Sequence, residues 1–206
     1  MYRGLVCRRR FWFGLLFEIL QMNLNPTGPV VVGHSWVSRL RADDVLPPNF
    51  SYIDVPGGNV NSLANVLSAI PTHQNNDYVF LILGGNDIAD CWDLLEVKNF
   101  QARYEEFIVL LRAVFPYARL VTAQIEVRFL KRRGTLVEDI DFKCRGAKFN
   151  KWLNTFQNKE GLLPIRGANF FSLPFWYAPD GVHLNHAGNI RLGTIIENQY
   201  NNRMAG

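Results

Sequence analysis

The chain has 206 residues, 48% of them apolar and 19% charged, which suits one globular domain with a sizeable core. Of its net charge of +4, residues 1–29 carry +3 (Arg3, Arg8, Arg9 and Arg10 against Glu18), so the body is nearly neutral. That excludes the concentrated positive charge of a dedicated nucleic-acid binder. Cys7, Cys91 and Cys144 are odd in number and scattered, which gives no disulfide framework, and the histidines show no zinc spacing. Free thiols in a reducing, intracellular compartment are expected, with no metal and no cofactor.

Residues 1–10 are basic and 11–20 apolar except for Glu18. The order superficially resembles a secretory signal, but Glu18 interrupts it, no small-residue cleavage site follows, and the run is too short to span a bilayer. We therefore read 1–29 as an extension and 30–206 as the domain, with Asn25-Pro26-Thr27-Gly28-Pro29 as the linker. Membrane contact is expected only through that extension.

Val30-Val31-Val32 then predicts a short buried strand ending at Gly33, and Tyr52–Val55 a second, closed by Pro56-Gly57-Gly58. Residues 59–70 predict a helix, with Val60, Leu63, Val66, Leu67 and Ile70 on one face and Pro71 behind it. Tyr78–Leu83 is continuously apolar, as for a central parallel strand covered on both faces. Phe100, Tyr104, Phe107, Leu111 and Val114 mark a helix stopped by Pro116. Arg119–Val127 predicts a fourth strand and Asn169–Leu173 a fifth. Between them Phe149, Trp152, Leu153 and Phe156 line a helix; Leu192, Ile195 and Ile196 mark the last. Such alternation implies an α/β fold, a parallel sheet of about five strands with helices on both faces. Ligands of such sheets sit at the carboxyl ends of the strands.

The loops at those ends hold the chemistry. Gly33-His34-Ser35-Trp36 follows the first strand, Pro56-Gly57-Gly58-Asn59 the second and Gly84-Gly85-Asn86-Asp87 the third. Asp180-Gly181-Val182-His183 precedes the last helix. A serine hydroxyl needs a base to become a nucleophile, and His183 is a candidate base. Asp180, three residues earlier, is placed to accept the other imidazole N–H. The backbone N–H groups of Ser35 and Gly58 and the amide of Asn86 are candidate oxyanion donors, with Gly57 an alternative in another register.

These four blocks, in this order, resemble those of the SGNH/GDSL hydrolase superfamily. The resemblance spans residues 33–183. It implies a flavodoxin-like three-layer α/β/α sandwich and ester hydrolysis by a Ser-Asp-His triad without a metal. The wording of the blocks also resembles SGNH-like domains of transposable-element-derived polyproteins. Two departures stand out: His34 replaces the aspartate usual before the serine, and the glycine usual after it is missing from Trp36-Val37-Ser38-Arg39. A catalytically inactive module of the same fold, binding a lipid, glycan or nucleic acid, is the rival reading.

Each residue also has a plainer role. Ser35 would cap a helix, and Asp87 caps the segment after it. His34 is expected to be structural, His186 to face solvent on the last helix, His73 to be solvated and Cys91 to be a buried small residue. Arg128, Lys131, Arg132 and Arg133 read as a solvated loop, and Trp176 and Tyr177 as either pocket or core. The expectation is an esterase or acyl hydrolase acting on a small ester such as a lipid or an acetylated sugar, through Ser35, Asp180 and His183.

Overall fold

The computed structural model describes residues 27–165 and 171–204; residues 1–26 of the expected extension lie outside that range. In chain order the elements are β1 (Val30–Gly33), α1 (Ser35–Ala42), β2 (Ser51–Asp54), α2 (Val60–Leu67), β3 (Tyr78–Ile82), α3 (Gly85–Asp90), α4 (Leu94–Val114) and β4 (Arg119–Thr122). There follow β5 (Phe129–Arg132), β6 (Thr135–Glu138), α5 (Ile140–Glu160), β7 (Leu163–Pro164), a 3₁₀ turn at Pro174–Trp176 and α6 (His186–Met204).

Five strands form one parallel sheet in the order β2-β1-β3-β4-β7. β1 and β3 are buried along their whole length, which explains their unbroken apolar runs. The pleat sorts each run between two cores, because successive side chains point to opposite faces. Val30, Val32, Val79 and Leu81 pack under α2, α4 and α5 with Leu63, Phe100, Tyr104, Phe107 and Phe149. Val31, Phe80 and Ile82 pack on the other face under α1 and α6 with Val37, Leu40, Leu192 and Ile196. The result is the expected three-layer α/β/α sandwich. β1 lies between β2 and β3, so the strand order reverses there, and the crevice at the carboxyl ends of β1 and β3 is where this fold binds ligands.

The helices begin where the side chains permit. Asn59, Asp93 and Asp139 each accept a backbone N–H of the first turn of α2, α4 and α5, a contribution of about 1 kcal/mol each. α5 stops at Gly161, whose φ of 66° suits a residue without Cβ.

The sheet departs from expectation in two places. The fourth strand ends at Thr122 rather than Val127 because Asn150 on α5 takes both backbone groups of Ile125, at 2.8 and 2.9 Å, so no neighbouring strand can. The fifth strand is β7 at Leu163–Pro164, not Asn169–Leu173. Phe171–Leu173 is not extended in a ladder, and Asn169 and Phe170 lie outside the described residues. The basic run at 128–133 is also no simple loop. It forms the antiparallel hairpin β5–β6, turning through Arg133 (φ 49°) and Gly134 (φ 84°).

Candidate active site

Ser35 is the first residue of α1, directly after β1, with His34 at the N-cap. Ser35 is therefore not a cap, and the His34 side chain makes no capping bond either. As an N1 residue, Ser35 has a backbone N–H with no partner inside the helix. That leaves a donor at the mouth of the crevice. Gly33 permits this turn: a Cβ there would strike the Ile82 carbonyl and Val37.

Asp180 and His183 share one turn. Asp180 Oδ2 is 2.7 Å from His183 Nδ1, and its Oδ1 accepts the backbone N–H groups of Val182 and His183, each at 2.9 Å. With Nδ1–H given to Asp180, Nε2 is the free basic nitrogen of the ring. Burial pushes the Asp180 carboxyl up, but hydrogen bonds from the His183 backbone and ring and from Val182 outweigh it and hold it down to about 2. The turn is joined to the nucleophile block by Trp36 Nε1, which donates to the Val182 carbonyl at 3.0 Å. Among the described residues no hydrogen bond links the Ser35 hydroxyl to His183; catalytic bonds of this kind often tighten only with substrate bound.

Asn86 and Gly58 meet, though not as expected. The Gly58 N–H donates to Val55 O at 2.9 Å and closes its own turn. Its carbonyl instead accepts from Asn86 Nδ2 at 2.8 Å. Gly57 carries the left-handed φ of 70° in that turn. Arg128 Nη2 donates to Asn86 Oδ1 at 2.8 Å, so the amide is held from both ends. Asp87 turns away from the site and accepts the Val60 N–H at 3.2 and 3.3 Å, capping α2 rather than its own segment. Its burial raises its pKa to about 6.

One cavity takes in the nucleophile block, Asn86 and Val182, while Asp180, His183 and Gly58 are not among its lining residues. Ser35, His34, Asn86, Arg128 and Val182 line it beside an apolar wall that includes Trp36, Ile125, Phe142 and Phe171. Trp176 and Tyr177 are not among its lining residues; Tyr177 is buried and donates to Val127 O at 2.9 Å. His34 is buried, and its Nδ1 has no partner among the described residues. Burial, then the charges of Arg128 and His183, press its pKa down to about 4, so it is neutral at physiological pH. Glu126 lines the same cavity, and burial lifts it to about 8.

The remaining residues fall outside the cavity. His186 opens α6 and is exposed, bonded to Asp43; His73 stacks on Phe115 at 5.7 Å rather than standing free in solvent. Cys91 is buried and Cys144 exposed. Lys131, Arg132 and Arg133 are exposed, whereas Arg128 points inward. Arg128 and Glu126 are the site residues that sequence reasoning missed. The signal for Arg128 was its place in the basic run, but nothing there distinguished it from its three neighbours.

No family model matches the chain, and no curated protein matches it. By contrast, 62 chains of known structure do. A GDSL-like lipase from Bacteroides thetaiotaomicron superposes with a TM-score of 0.70 at 13% identity, covering 93% of this chain and 98% of that one. Phospholipase A1 from Streptomyces albidoflavus gives 0.58 at 17%, covering 84% and 98%. A catalytic mutant of an acetylxylan esterase from Geobacillus stearothermophilus gives 0.58 at 12%, covering 82% and 92%. The chain has the fold of the GDSL hydrolases over nearly its whole described length. Among the described residues no group of three or more His, Cys, Asp or Glu could hold a metal, and no helix is long and apolar enough to cross a membrane.

Proposed function

We propose that this chain hydrolyses carboxylic esters, with Ser35 as nucleophile, His183 as base and Asp180 as the group that orients the imidazole. The observation that carries the reading is the Asp180–His183 bond of 2.7 Å, on a turn tied to the nucleophile block by Trp36. That is the base-and-orienting half of a Ser-His-Asp triad, which supports the reading. The names of the structural neighbours support ester cleavage as the class of reaction.

In the proposed reaction His183 Nε2 takes the proton of Ser35 Oγ as Oγ attacks the ester carbonyl carbon. The carbonyl oxygen becomes an oxyanion, held by the Ser35 N–H and the second N–H of Asn86 Nδ2. Gly58 serves this hole through its carbonyl, which fixes Asn86, because its own N–H already bonds Val55. His183 passes the proton to the departing alkoxide, leaving an acyl-Ser35. Water, deprotonated by His183, attacks that acyl group, and Ser35 regains its proton on release of the acid. The apolar wall of the cavity suits the acyl part of a lipid or a small acetyl ester. Neutral His34 adds no charge to the serine turn.

The test is hydrolysis of p-nitrophenyl acetate and longer-chain esters by the whole chain beside Ser35→Ala, with fluorophosphonate labelling. The expected result is labelling of Ser35 and a fall in kcat on the order of 10⁴-fold or more in the variant. A folded wild type that neither labels nor outpaces the variant sinks the hydrolase reading and leaves a binding module on the same fold.

A further inference from the structure

We propose that Arg128 is a positioning residue for ester hydrolysis, holding the Asn86 amide in the one orientation that offers an N–H to the oxyanion. The inference rests on the hydrolase reading above.

An asparagine amide carries an acceptor oxygen and an NH₂ donor on a plane that can turn over. One orientation aims a donor at the developing charge, and the other aims the oxygen lone pairs at it. Two contacts decide between them here. Gly58 O can only accept, and it takes one proton of Nδ2 at 2.8 Å. Arg128 can only donate, and its Nη2 meets Oδ1 at 2.8 Å. Turning the amide over would set the Asn86 oxygen against a carbonyl oxygen and its NH₂ against a guanidinium, two repulsive contacts in a largely apolar cavity. The second proton of Nδ2 is left for substrate.

Arg128 is built for this task. It immediately precedes β5, and its carbonyl accepts the Asp139 N–H at 2.8 Å, so the base of the hairpin fixes its backbone. Its guanidinium carbon lies 4.9 Å from the centroid of the Phe142 ring, on the first turn of α5. Stacking of this kind suits the flat guanidinium and orients it. The charge-assisted bond to Oδ1 also draws electron density from the amide, which strengthens its N–H as a donor. The other three cations of the run, Lys131, Arg132 and Arg133, are exposed and share none of these contacts.

The experiment is a double-mutant cycle on ester hydrolysis with the whole chain: wild type, Arg128→Ala, Asn86→Ala and the pair, each checked for folding by circular dichroism. Loss of one oxyanion donor costs about 10²–10³-fold in kcat. Arg128→Ala is expected to lose about 10–100-fold in kcat, with KM changed less than about twofold, and to lose almost nothing further in the Asn86→Ala background. Added guanidinium ion should restore part of the lost kcat in Arg128→Ala and none in Ser35→Ala. Equal losses in both backgrounds, or full activity in Arg128→Ala, overturn the proposal while wild-type turnover still upholds the hydrolase reading. Absent turnover and labelling in wild type refute the hydrolase reading itself, and this inference with it. Should Arg128→Ala fail to fold, Arg128→Met, which keeps the stem over Phe142 without the donor, carries the same cycle.

Discussion

Asp180 does three things at once. It accepts the imidazole N–H and two backbone N–H groups of its own turn. In Asp180→Asn the amide oxygen can still serve the backbone, but its NH₂ cannot accept from Nδ1, so the imidazole loses its tautomer. We expect a fall in kcat of about 10⁴-fold with the fold intact, read from ester hydrolysis and thermal melting. Since hydrogen bonds hold Asp180 down to about 2, it stays charged throughout the neutral range. At this scale the Asp180–His183 contact was legible from the sequence, because the DxxH spacing lets one turn bring both groups together. Arg128 was not, because its partner Asn86 lies 42 residues away and only the folded hairpin turns it inward.

Among the elements, the loop before α6 and the hairpin β5–β6 behave as one unit. Phe129 N donates to Gly181 O at 2.9 Å, and Gly181 has φ 71° with no room for a Cβ against the Phe129 backbone. Gly181→Ala should therefore cost about 1–3 kcal/mol and lower kcat, by displacing Asp180 and His183 together. Gly134→Ala, at φ 84° but in open space at the hairpin tip, should cost about 1 kcal/mol and leave kcat unchanged. Denaturant unfolding and ester kinetics on the two variants separate the cases. The long helices and the central strands were legible because their apolar patterns are strong and local; the short helix Gly85–Asp90 was not. The two-residue β7 was not, since so short a strand carries no periodicity, and its pairing with β4 is a matter of position alone.

For the molecule as a whole, stability lies in the two cores either side of the sheet. Phe149 is fully buried and stacks 4.6 Å from Phe100, so Phe149→Ala should cost about 3–5 kcal/mol by denaturant unfolding. Buried titratable groups make stability depend on pH. Burial holds Glu126 protonated in the folded state up to about 8, from an ordinary value of 4.5. Between those values the folded chain binds the extra proton, so stability falls as pH rises through that window. Buried Asp87 adds the same slope between 3.8 and about 6. His34, pressed down from 6.5 to about 4, gives the opposite slope over that interval, because there the unfolded chain binds the proton. From pH 6.5 to 8 the Glu126 slope is left unopposed, at up to about 1.4 kcal/mol per pH unit. Glu126→Gln should flatten melting temperature across that window; an unchanged slope would show that the carboxyl ionises freely in the cavity.

The sequence by itself determined the layered α/β class, the order of its long elements and the residues expected to form the triad. Those features follow from local periodicity and from turns that carry short spaced motifs. Tertiary structure alone decided which contacts those motifs make. It ended β4 early by giving the Ile125 backbone to Asn150. It also spent the Gly58 N–H on a turn and used its carbonyl to fix Asn86. And it turned one arginine of a basic run inward. Each outcome depends on which of several competing partners lies nearest in space, and that is set by the packing of elements far apart in the chain.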